Sequence, residues 1–336
     1  MKGRGGGDKR YCETKRGRSC LRHIGLLTLG GNAEGAGSRM DDRVEIETST
    51  VERLVATQFP DWAHLAITPV AQGGWCNRTF HLGPDMLVRL PSAERYVAQV
   101  EKEYRLLPRL APHLPMSIPS PLALGKPGEG YRWPWSVYRW IEGRRASLEA
   151  ISNLNTFAED LADFLKALWK IDTTDGPLAG QHNFHRGGDL RVYDPETRQS
   201  IELLSDRIDA SLMTDIWERA LASQSASDPV WVHGDIAEGN LLVRDGKLFA
   251  VIDFGSAGIG DPACDLVIAW TLLDEPAAHV FRRRVALDEQ TWQRARGWCL
   301  WKALIVTAGH PGTNPLVRDQ HRAWIDRIVA DHLNQG

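Results

Sequence analysis

This sequence lacks long apolar runs. No stretch approaches the roughly 18 uncharged apolar residues that a membrane-spanning helix needs, so we expect no membrane partner. Cysteines are few and scattered, and none forms a C-x-x-C pair: they are Cys12, Cys20, Cys76, Cys264 and Cys299. An odd number at irregular spacing argues against a disulfide framework and against a zinc site. Both points fit a reducing compartment, and we expect a cytoplasmic protein.

The chain also lacks a large surplus of charge. Its 40 Lys and Arg residues against 43 Asp and Glu residues give a net charge of −3. Residues 1–39 are the exception, with nine basic against three acidic residues, so the rest of the chain carries −9. A body of that charge has no broad basic surface for nucleic acid, and we expect no nucleic-acid partner.

Residues 1–40 are predicted to be a disordered basic extension. They are rich in Gly and have no periodic apolar stripe whose burial would offset the entropy of ordering. A nucleic-acid-binding arm or a transit peptide is the alternative interpretation of the basic charge. We prefer an upstream extension, with the folded protein beginning near Met40.

The remaining residues predict an α+β fold in two lobes, one at 41–139 and one at 140–336. The first lobe should hold an antiparallel sheet and one main helix at Ala93–Leu110. Its strand candidates are Ala66–Ala71, Asn77–Leu82, Met86–Leu90, a segment around Leu122, and Trp135–Trp140. The second, larger lobe should be mostly helical, with helices at Leu148–Trp169, near Ile201–Ala222, and from Ala263 onward. Short strands with a turn at Asp245-Gly246 are expected within Val230–Phe254.

The densest group of chemically active side chains runs from His233 to Asn240 (HGDIAEGN), and Asp253-Phe254-Gly255 follows thirteen residues later. Phosphoryl transfer needs a carboxylate for the incoming hydroxyl and oxygen ligands for Mg²⁺. Asp235 suits the first role, and Asn240 with Asp253 suits the second. A hairpin over 241–252 would bring the two predicted metal ligands to one edge.

These motifs resemble those of a known family. The pattern H-x-D-x-x-x-x-N followed by D-F-G is similar to the catalytic and metal-binding segments of the protein-kinase-like fold. The His-Gly-Asp version, together with Gly258–Leu266 (GIGDPACDL), resembles the aminoglycoside phosphotransferase family. The resemblance implies a two-lobed kinase with a nucleotide-binding N-terminal lobe and a catalytic, substrate-binding C-terminal lobe. It also implies Mg²⁺, ATP or GTP as donor, and a small molecule with a hydroxyl group as acceptor.

The resemblance implies a nucleotide-positioning loop between the first two strands. Gly73 and Gly74 would let backbone N–H groups approach the phosphates, and Asn77 would add a side-chain contact. A plain hairpin turn is the alternative for the two glycines. The adenine-contacting hinge would be Arg139, Trp140 and Ile141.

Arg89 stands in the third strand, where kinases usually have a lysine against the α- and β-phosphates. An arginine can still pair with phosphate, and its fork allows two parallel contacts. Its expected partner is Glu103, which falls on the apolar helix face of Tyr104 and Leu107 and would be costly to bury unpaired. Glu101 is the alternative partner.

Other polar residues of the C-terminal lobe are predicted to have structural roles. His233 should brace the catalytic loop by hydrogen bonds, and Asp261 and Asp265 should cap the helix that follows or hold the loop.

Candidate substrate-binding residues are His185, Arg186 and Glu238. The loop at 172–194 mixes basic and acidic residues, whereas a polycationic acceptor needs clustered carboxylates. These residues are equally compatible with an ordinary solvated loop. The acceptor could be an aminoglycoside-like antibiotic or a metabolite such as a sugar, a choline-like alcohol or an amino alcohol. A non-catalytic nucleotide-binding protein of the same fold is a third reading. The sequence does not indicate the oligomeric state.

Overall fold

The computed structural model describes residues 43–71, 74, 76–225, 228–310, 313 and 317–334. The predicted extension at 1–40 lies outside these residues. Within the described ranges, no helix is both long enough and apolar enough to cross a membrane. The described residues form the α+β, two-lobed fold that the sequence predicts.

The N-terminal lobe is a five-stranded antiparallel sheet with two helices. The strands are β1 (Ile67–Pro69), β2 (Asn77–Leu82), β3 (Met86–Pro91), β4 (Pro121–Gly125) and β5 (Trp135–Arg139), and the helices are α1 (Thr48–Gln58) and α2 (Val97–Leu110). The strand order is β1-β2-β3-β5-β4, and every neighbouring pair is antiparallel. The antiparallel sheet is the one predicted for the first lobe, and α2 is the predicted main helix.

Strand β3 directs alternate side chains to the two faces of the sheet. Val88 and Leu90 are fully buried in a core shared with α1. Arg89 lies between them and therefore points to the other face, where it meets Glu103 of α2. The alternation of side chains along β3 thus places the charged side chain of Arg89 between the sheet and α2.

Helix α2 differs from its prediction in its start and in its buried face. It begins at Val97, after a 3₁₀ turn at Glu94–Tyr96, and not at Ala93. Tyr104, predicted to face the core, is 38% exposed, whereas Glu103 and Leu106 are buried. The buried face therefore keeps the predicted Val100 and Leu107 and extends beyond the apolar pattern to the polar Gln99 and Lys102.

The C-terminal lobe is mostly helical, with short strands. Its helices are α3 (Leu154–Trp169), α4 (Asp194–Leu203), α5 (Ala210–Ala222), α6 (Ile268–Thr271), α7 (Glu275–Val285), α8 (Glu289–Ala308) and α9 (Arg318–Leu333). Its strands are β6 (Arg144–Arg145), β7 (Val230–Val232), β8 (Leu241–Arg244), β9 (Lys247–Val251) and β10 (Gly258–Gly260). They form a β6-β8-β9 sheet and a β10-β7 pair.

Helix α8 is the centre of this lobe. It packs against α5 on one side and α9 on another, so it is buried almost all round. Trp298 and Trp301 lie on α8 and are each 1% exposed. The helix ends at Ala308, and the next residue, Gly309, has a φ of 75°, the left-handed conformation that suits glycine after a helix C-terminus.

The single helix predicted near Ile201–Ala222 is two helices. α4 ends at Leu203, and α5 begins after Asp209, whose side chain accepts a hydrogen bond from the backbone N–H of Leu212 at 3.0 Å. The prediction was wrong here because the cap at Asp209 starts a new helix within one apolar pattern. The turn predicted at Asp245-Gly246 is confirmed, with φ values of 52° and 77°.

Candidate active site

The β8–β9 hairpin brings Asn240 and Asp253 to one edge. Leu241 pairs with Val251 at the open end of the hairpin. The backbone N–H of Ile252 donates to the carbonyl of Asn240 at 2.8 Å. Since Asn240 immediately precedes β8 and Asp253 lies two residues after β9, the backbone brings together the two residues that the sequence singles out as metal ligands.

The loop that carries Asp235 is held by a buried carboxylate. Asp265 accepts hydrogen bonds from the backbone N–H groups of His233 at 2.8 Å and of Gly234 at 2.7 Å. Gly234 has a φ of 80°, and a Cβ atom there would lie 2.5 Å from the carbonyl oxygen of Ser256. Glycine is therefore required at this turn, and Asp265 fixes the loop from beneath.

His233 uses both ring nitrogens inside the protein. Nε2 donates to the carbonyl of Ile252 at 3.1 Å, and Nδ1 accepts from the backbone N–H of Asp235 at 3.2 Å. These partners define the neutral Nε2–H tautomer, because a carbonyl accepts only. The ring braces the loop and has no nitrogen left to act as a base. Asp261, in the following segment, caps a short 3₁₀ helix and pairs with Arg294.

The carboxylate of Asp235 is almost fully buried and has two side-chain partners. Oδ1 lies 3.3 Å from Nζ of Lys302, and Oδ2 accepts from Nδ2 of Asn240 at 3.0 Å. Burial alone would raise the pKa of Asp235. The charge of Lys302, followed by that of Arg186, outweighs burial and lowers the pKa. Asp235 is therefore an anion at neutral pH.

Arg89 links the two lobes at the site. Nη1 donates to Oε2 of Glu103 at 3.0 Å, and Nη2 donates to Oδ1 of Asp253 at 2.9 Å. Burial opposes the charge of Arg89, but Glu103 and then Asp253 outweigh it and raise the pKa. Tyr138 donates its hydroxyl to Glu103 at 2.9 Å. The predicted Arg89–Glu103 pair is present, whereas the alternative partner Glu101 is exposed.

Lys102 was not predicted from the sequence. It is buried, and Nζ donates to the carbonyls of Gly255 at 2.7 Å and of Ala257 at 3.0 Å. Burial lowers its pKa to about 8. The signal in the sequence was a polar stripe of Gln99, Lys102 and Glu103 on one side of α2. Lys102 ties that helix to the turn after Asp253.

The predicted nucleotide loop is only partly within the described residues. Gly73 lies outside them, and Gly74 is described just before β2. Asn77 is the first residue of β2 and is buried. Its neighbour Arg78 pairs with Glu45 at 3.2 Å. The hydrogen bonds found among the described residues do not link Gly74 or Asn77 to the loops of Asp235 and Asp253.

The predicted hinge joins the lobes, because β5 ends at Arg139 and β6 pairs with β8 of the second lobe. The backbone N–H of Trp140 donates to the carbonyl of Asp85 at 2.7 Å. Its indole packs against His81 with ring centroids 4.4 Å apart. These contacts of Trp140 hold the hinge against the first lobe. Ile141 is the next residue along the chain towards the second lobe.

Of the three candidate substrate residues, the structure brings two towards Asp235. Arg186 is buried over the ring of Trp301 at 4.7 Å and contributes to the lowered pKa of Asp235. Glu238 lies three residues after Asp235 in the same loop. His185 has a φ of 54° and interacts with His182; no contact of the described residues joins it to Asp235.

A cleft adjoins the loop of Asp235. Residues 236–238 form one wall, and Lys302 of α8 forms another. Gln320, His321 and Trp324 of α9 close the third side. Because Lys302 also contacts Asp235, a molecule in this cleft would lie beside the Asp235 carboxylate. The sequence offered no sign of this cleft, since α9 contributes to it from more than 80 residues downstream.

The fold and the arrangement of the site define a protein of the kinase-like class. A sheet lobe and a helical lobe meet at Arg89, and the loops of Asp235 and Asp253 lie at that junction. The family model described as the phosphotransferase enzyme family matches residues 66–298. The chain therefore belongs to the phosphotransferase enzyme family, as its motifs indicated.

Individual relatives show the range of this similarity. An aminoglycoside 3'-phosphotransferase of Escherichia coli is 44% identical over 61 residues, which cover 18% of this chain and 22% of that protein. The solved GDP and kanamycin complex of APH(2")-IIia has a TM-score of 0.63 at 20% identity, covering 85% of this chain and 99% of that one. The macrolide 2'-phosphotransferase MphH of Brachybacterium faecium has a TM-score of 0.52 at 19% identity, with coverages of 84% and 97%. At these identities the two structures show the fold.

Proposed function

We propose that this chain transfers the γ-phosphoryl group of ATP or GTP to a hydroxyl group of an aminoglycoside-like antibiotic or a similar hydroxylated small molecule. The observation that carries the proposal is the convergence of Asp235, Asn240 and Asp253. A hydrogen bond joins Asn240 to Asp235 at 3.0 Å, and the hairpin places Asp253 beside Asn240. The chemistry needs one carboxylate for the acceptor and two oxygen ligands for the metal.

Asp235 orients the acceptor hydroxyl or accepts its proton. The pKa of Asp235 is lowered by Lys302 and Arg186 against the effect of burial, so the carboxylate is available as an anion. Lys302 and Asn240 each contact one of its oxygens, which fixes the direction of the carboxylate. A positioned carboxylate of this kind contributes to proton transfer in the transition state.

Asn240 and Asp253 fit the ligand set of Mg²⁺. Asn240 uses its amide nitrogen on Asp235, which leaves the amide oxygen for a cation. Oδ1 of Asp253 accepts a hydrogen bond from Arg89, which leaves the second carboxylate oxygen for a cation. In the described part of the chain, no group of three or more His, Cys, Asp or Glu residues forms a metal cage. Two protein ligands suit Mg²⁺, which usually keeps waters and binds substrate phosphates, and the ion would neutralise the charge of those phosphates.

Arg89 contacts the α- and β-phosphates in this proposal, and Glu103 holds its guanidinium in place. Gly73, Gly74 and Asn77 approach the phosphates from the β1–β2 loop. Arg139, Trp140 and Ile141 border the base. Arg186 and Glu238 flank the acceptor. His185 is the third candidate, although no contact among the described residues joins it to Asp235.

The proposal is tested by measuring release of ADP or GDP with Mg²⁺, with and without a panel of hydroxylated acceptors. We expect slow nucleotide hydrolysis without acceptor and faster release with a true acceptor. No hydrolysis and no transfer under any condition would favour the non-catalytic reading. Expression in a susceptible bacterium separates the antibiotic acceptor from the metabolic one, because only the former raises drug tolerance.

A further inference from the structure

The cleft beside Asp235 is largely apolar. Ala237 of the catalytic loop, Val267, Cys299 of α8 and Trp324 of α9 all line it. Apolar lining favours a ligand that buries apolar surface of its own, with a few polar groups fixing its orientation. The chemistry of the polar groups in the cleft therefore identifies what kind of molecule fits.

His321 is a neutral hydrogen-bond acceptor in this cleft. It is 5% exposed, and Nδ1 lies 2.9 Å from the carbonyl of Val317. Since a carbonyl only accepts, Nδ1 carries the proton. Burial and, to a lesser extent, the charge of Lys302 lower the pKa of His321 to about 4 against the opposing effect of the hydrogen bond to Val317, so Nε2 has no proton at neutral pH.

Nε2 of His321 is buried and has no partner among the described residues. A buried nitrogen lone pair without a donor is unfavourable, because water no longer satisfies it. His321 is one of the residues that line the cleft, and a bound molecule whose O–H or N–H group reached this ring would satisfy Nε2.

The charged groups of the cleft are already matched. Lys302 pairs with Asp235, and Glu238 accepts from Gln320 at 3.1 Å and interacts with the charge of Arg145. No uncompensated cluster of carboxylates remains among the described residues of the cleft. A polycationic molecule would therefore find little to offset its charges.

We propose that the acceptor is a molecule with a broad apolar face and few charges, which donates a hydroxyl or N–H hydrogen bond to Nε2 of His321. The inference rests on the proposed kinase function and assigns His321 as a specificity-determining residue of its acceptor site. The apolar face packs against Ala237 and Trp324, and the hydroxyl to be phosphorylated faces Asp235 next to Lys302.

The test measures binding to the full chain by calorimetry, with n-octyl-β-glucoside and a macrolide as apolar hydroxylated probes and kanamycin as the polycationic probe. We expect at least one apolar probe to bind the wild type about tenfold more tightly than kanamycin does. The H321F variant should bind that apolar probe about tenfold more weakly, because one hydrogen bond is lost. His321→Gln should restore most of the affinity, because its amide oxygen also accepts. His279→Phe, an exposed histidine on α7, is the matched control and should change nothing.

Separate outcomes overturn separate claims. Tighter binding of kanamycin, or equal apolar-probe binding by wild type and a folded H321F, would overturn this inference and leave the kinase proposal standing. Thermal melting of each variant establishes that it is folded. Absence of any Mg²⁺-dependent nucleotide turnover in the wild type would overturn the kinase proposal itself, and the acceptor role of the cleft with it.

Discussion

At the scale of single residues, Arg89 contributes a geometry that a lysine at this position would not reproduce. Its two terminal nitrogens bind different carboxylates, Glu103 on α2 and Asp253 after β9. A guanidinium presents donors in a rigid fork, whereas an ammonium is a compact point charge. The departure from the usual lysine therefore does not by itself argue against activity, because the arginine keeps both lobes connected at the site.

Replacing Arg89 by alanine should destabilise the protein strongly. Glu103 is 3% exposed, and without Arg89 the hydroxyl of Tyr138 is the hydrogen-bond donor that the described residues still offer its buried carboxylate. Removing one member of a buried pair costs about 3–5 kcal/mol. Urea unfolding measures this, with Arg89→Lys as the control that keeps the charge and should cost less. A loss under about 1 kcal/mol for R89A would contradict the pairing.

Replacing Lys302 by methionine should shift the pH dependence of activity. Burial raises the pKa of Asp235, and Lys302 is the strongest of the charges that together lower it below its usual value. Without that charge the pKa rises, so the acidic limb of the pH–rate profile should move to higher pH. Lys302→Arg should keep the limb near its wild-type position. An unchanged limb in K302M would show that Lys302 does not set the ionisation of Asp235.

At the scale of elements, helix α2 contacts and positions the turn that follows Asp253. Lys102 donates to two carbonyls of that turn, and a Cβ on Gly255 would lie 2.6 Å from Oε1 of Gln99. The helix and the turn therefore pack closely. Any shift of α2 would change the position of both Asp253 and Glu103.

Replacing Lys102 by methionine should loosen this turn. The carbonyls of Gly255 and Ala257 would lose their donor, at a cost of about 1–3 kcal/mol. We expect weaker nucleotide affinity together with reduced stability, measured by calorimetry and by urea unfolding. Lys170→Met, at an exposed position after α3, is the control. Unchanged nucleotide affinity in a folded K102M would disprove the coupling of α2 to the turn.

At the scale of the whole molecule, the sequence predicted what is local or carried by a motif. The antiparallel sheet followed from alternating strands and turn residues, and the proximity of Asn240 to Asp253 followed from a hairpin of known length. The cleft did not follow, because Lys302 and His321 reach it through packing of α8 and α9 against a loop far earlier in the chain. The apolar pattern within a single segment does not predict contacts between segments that are far apart in the sequence.

The two-lobed fold also predicts how the molecule responds to nucleotide. A nucleotide held by residues of both lobes binds only the folded protein, so Mg²⁺ with ATP or GTP should raise the melting temperature. At a hundred times the dissociation constant the stabilisation is about 2.7 kcal/mol. Asp253→Asn should lose most of the Mg²⁺-dependent part. An equal shift in D253N would argue against Asp253 as a metal ligand.

The most direct test of the proposed function is the Asp235→Asn variant. Asparagine keeps the size of the side chain and removes the charge, so nucleotide affinity should stay within about twofold while phosphoryl transfer to the best acceptor falls at least about 100-fold. Nucleotide binding by calorimetry and transfer of labelled γ-phosphate are measured on the same preparation. Transfer at the wild-type rate by D235N would contradict the role assigned to Asp235.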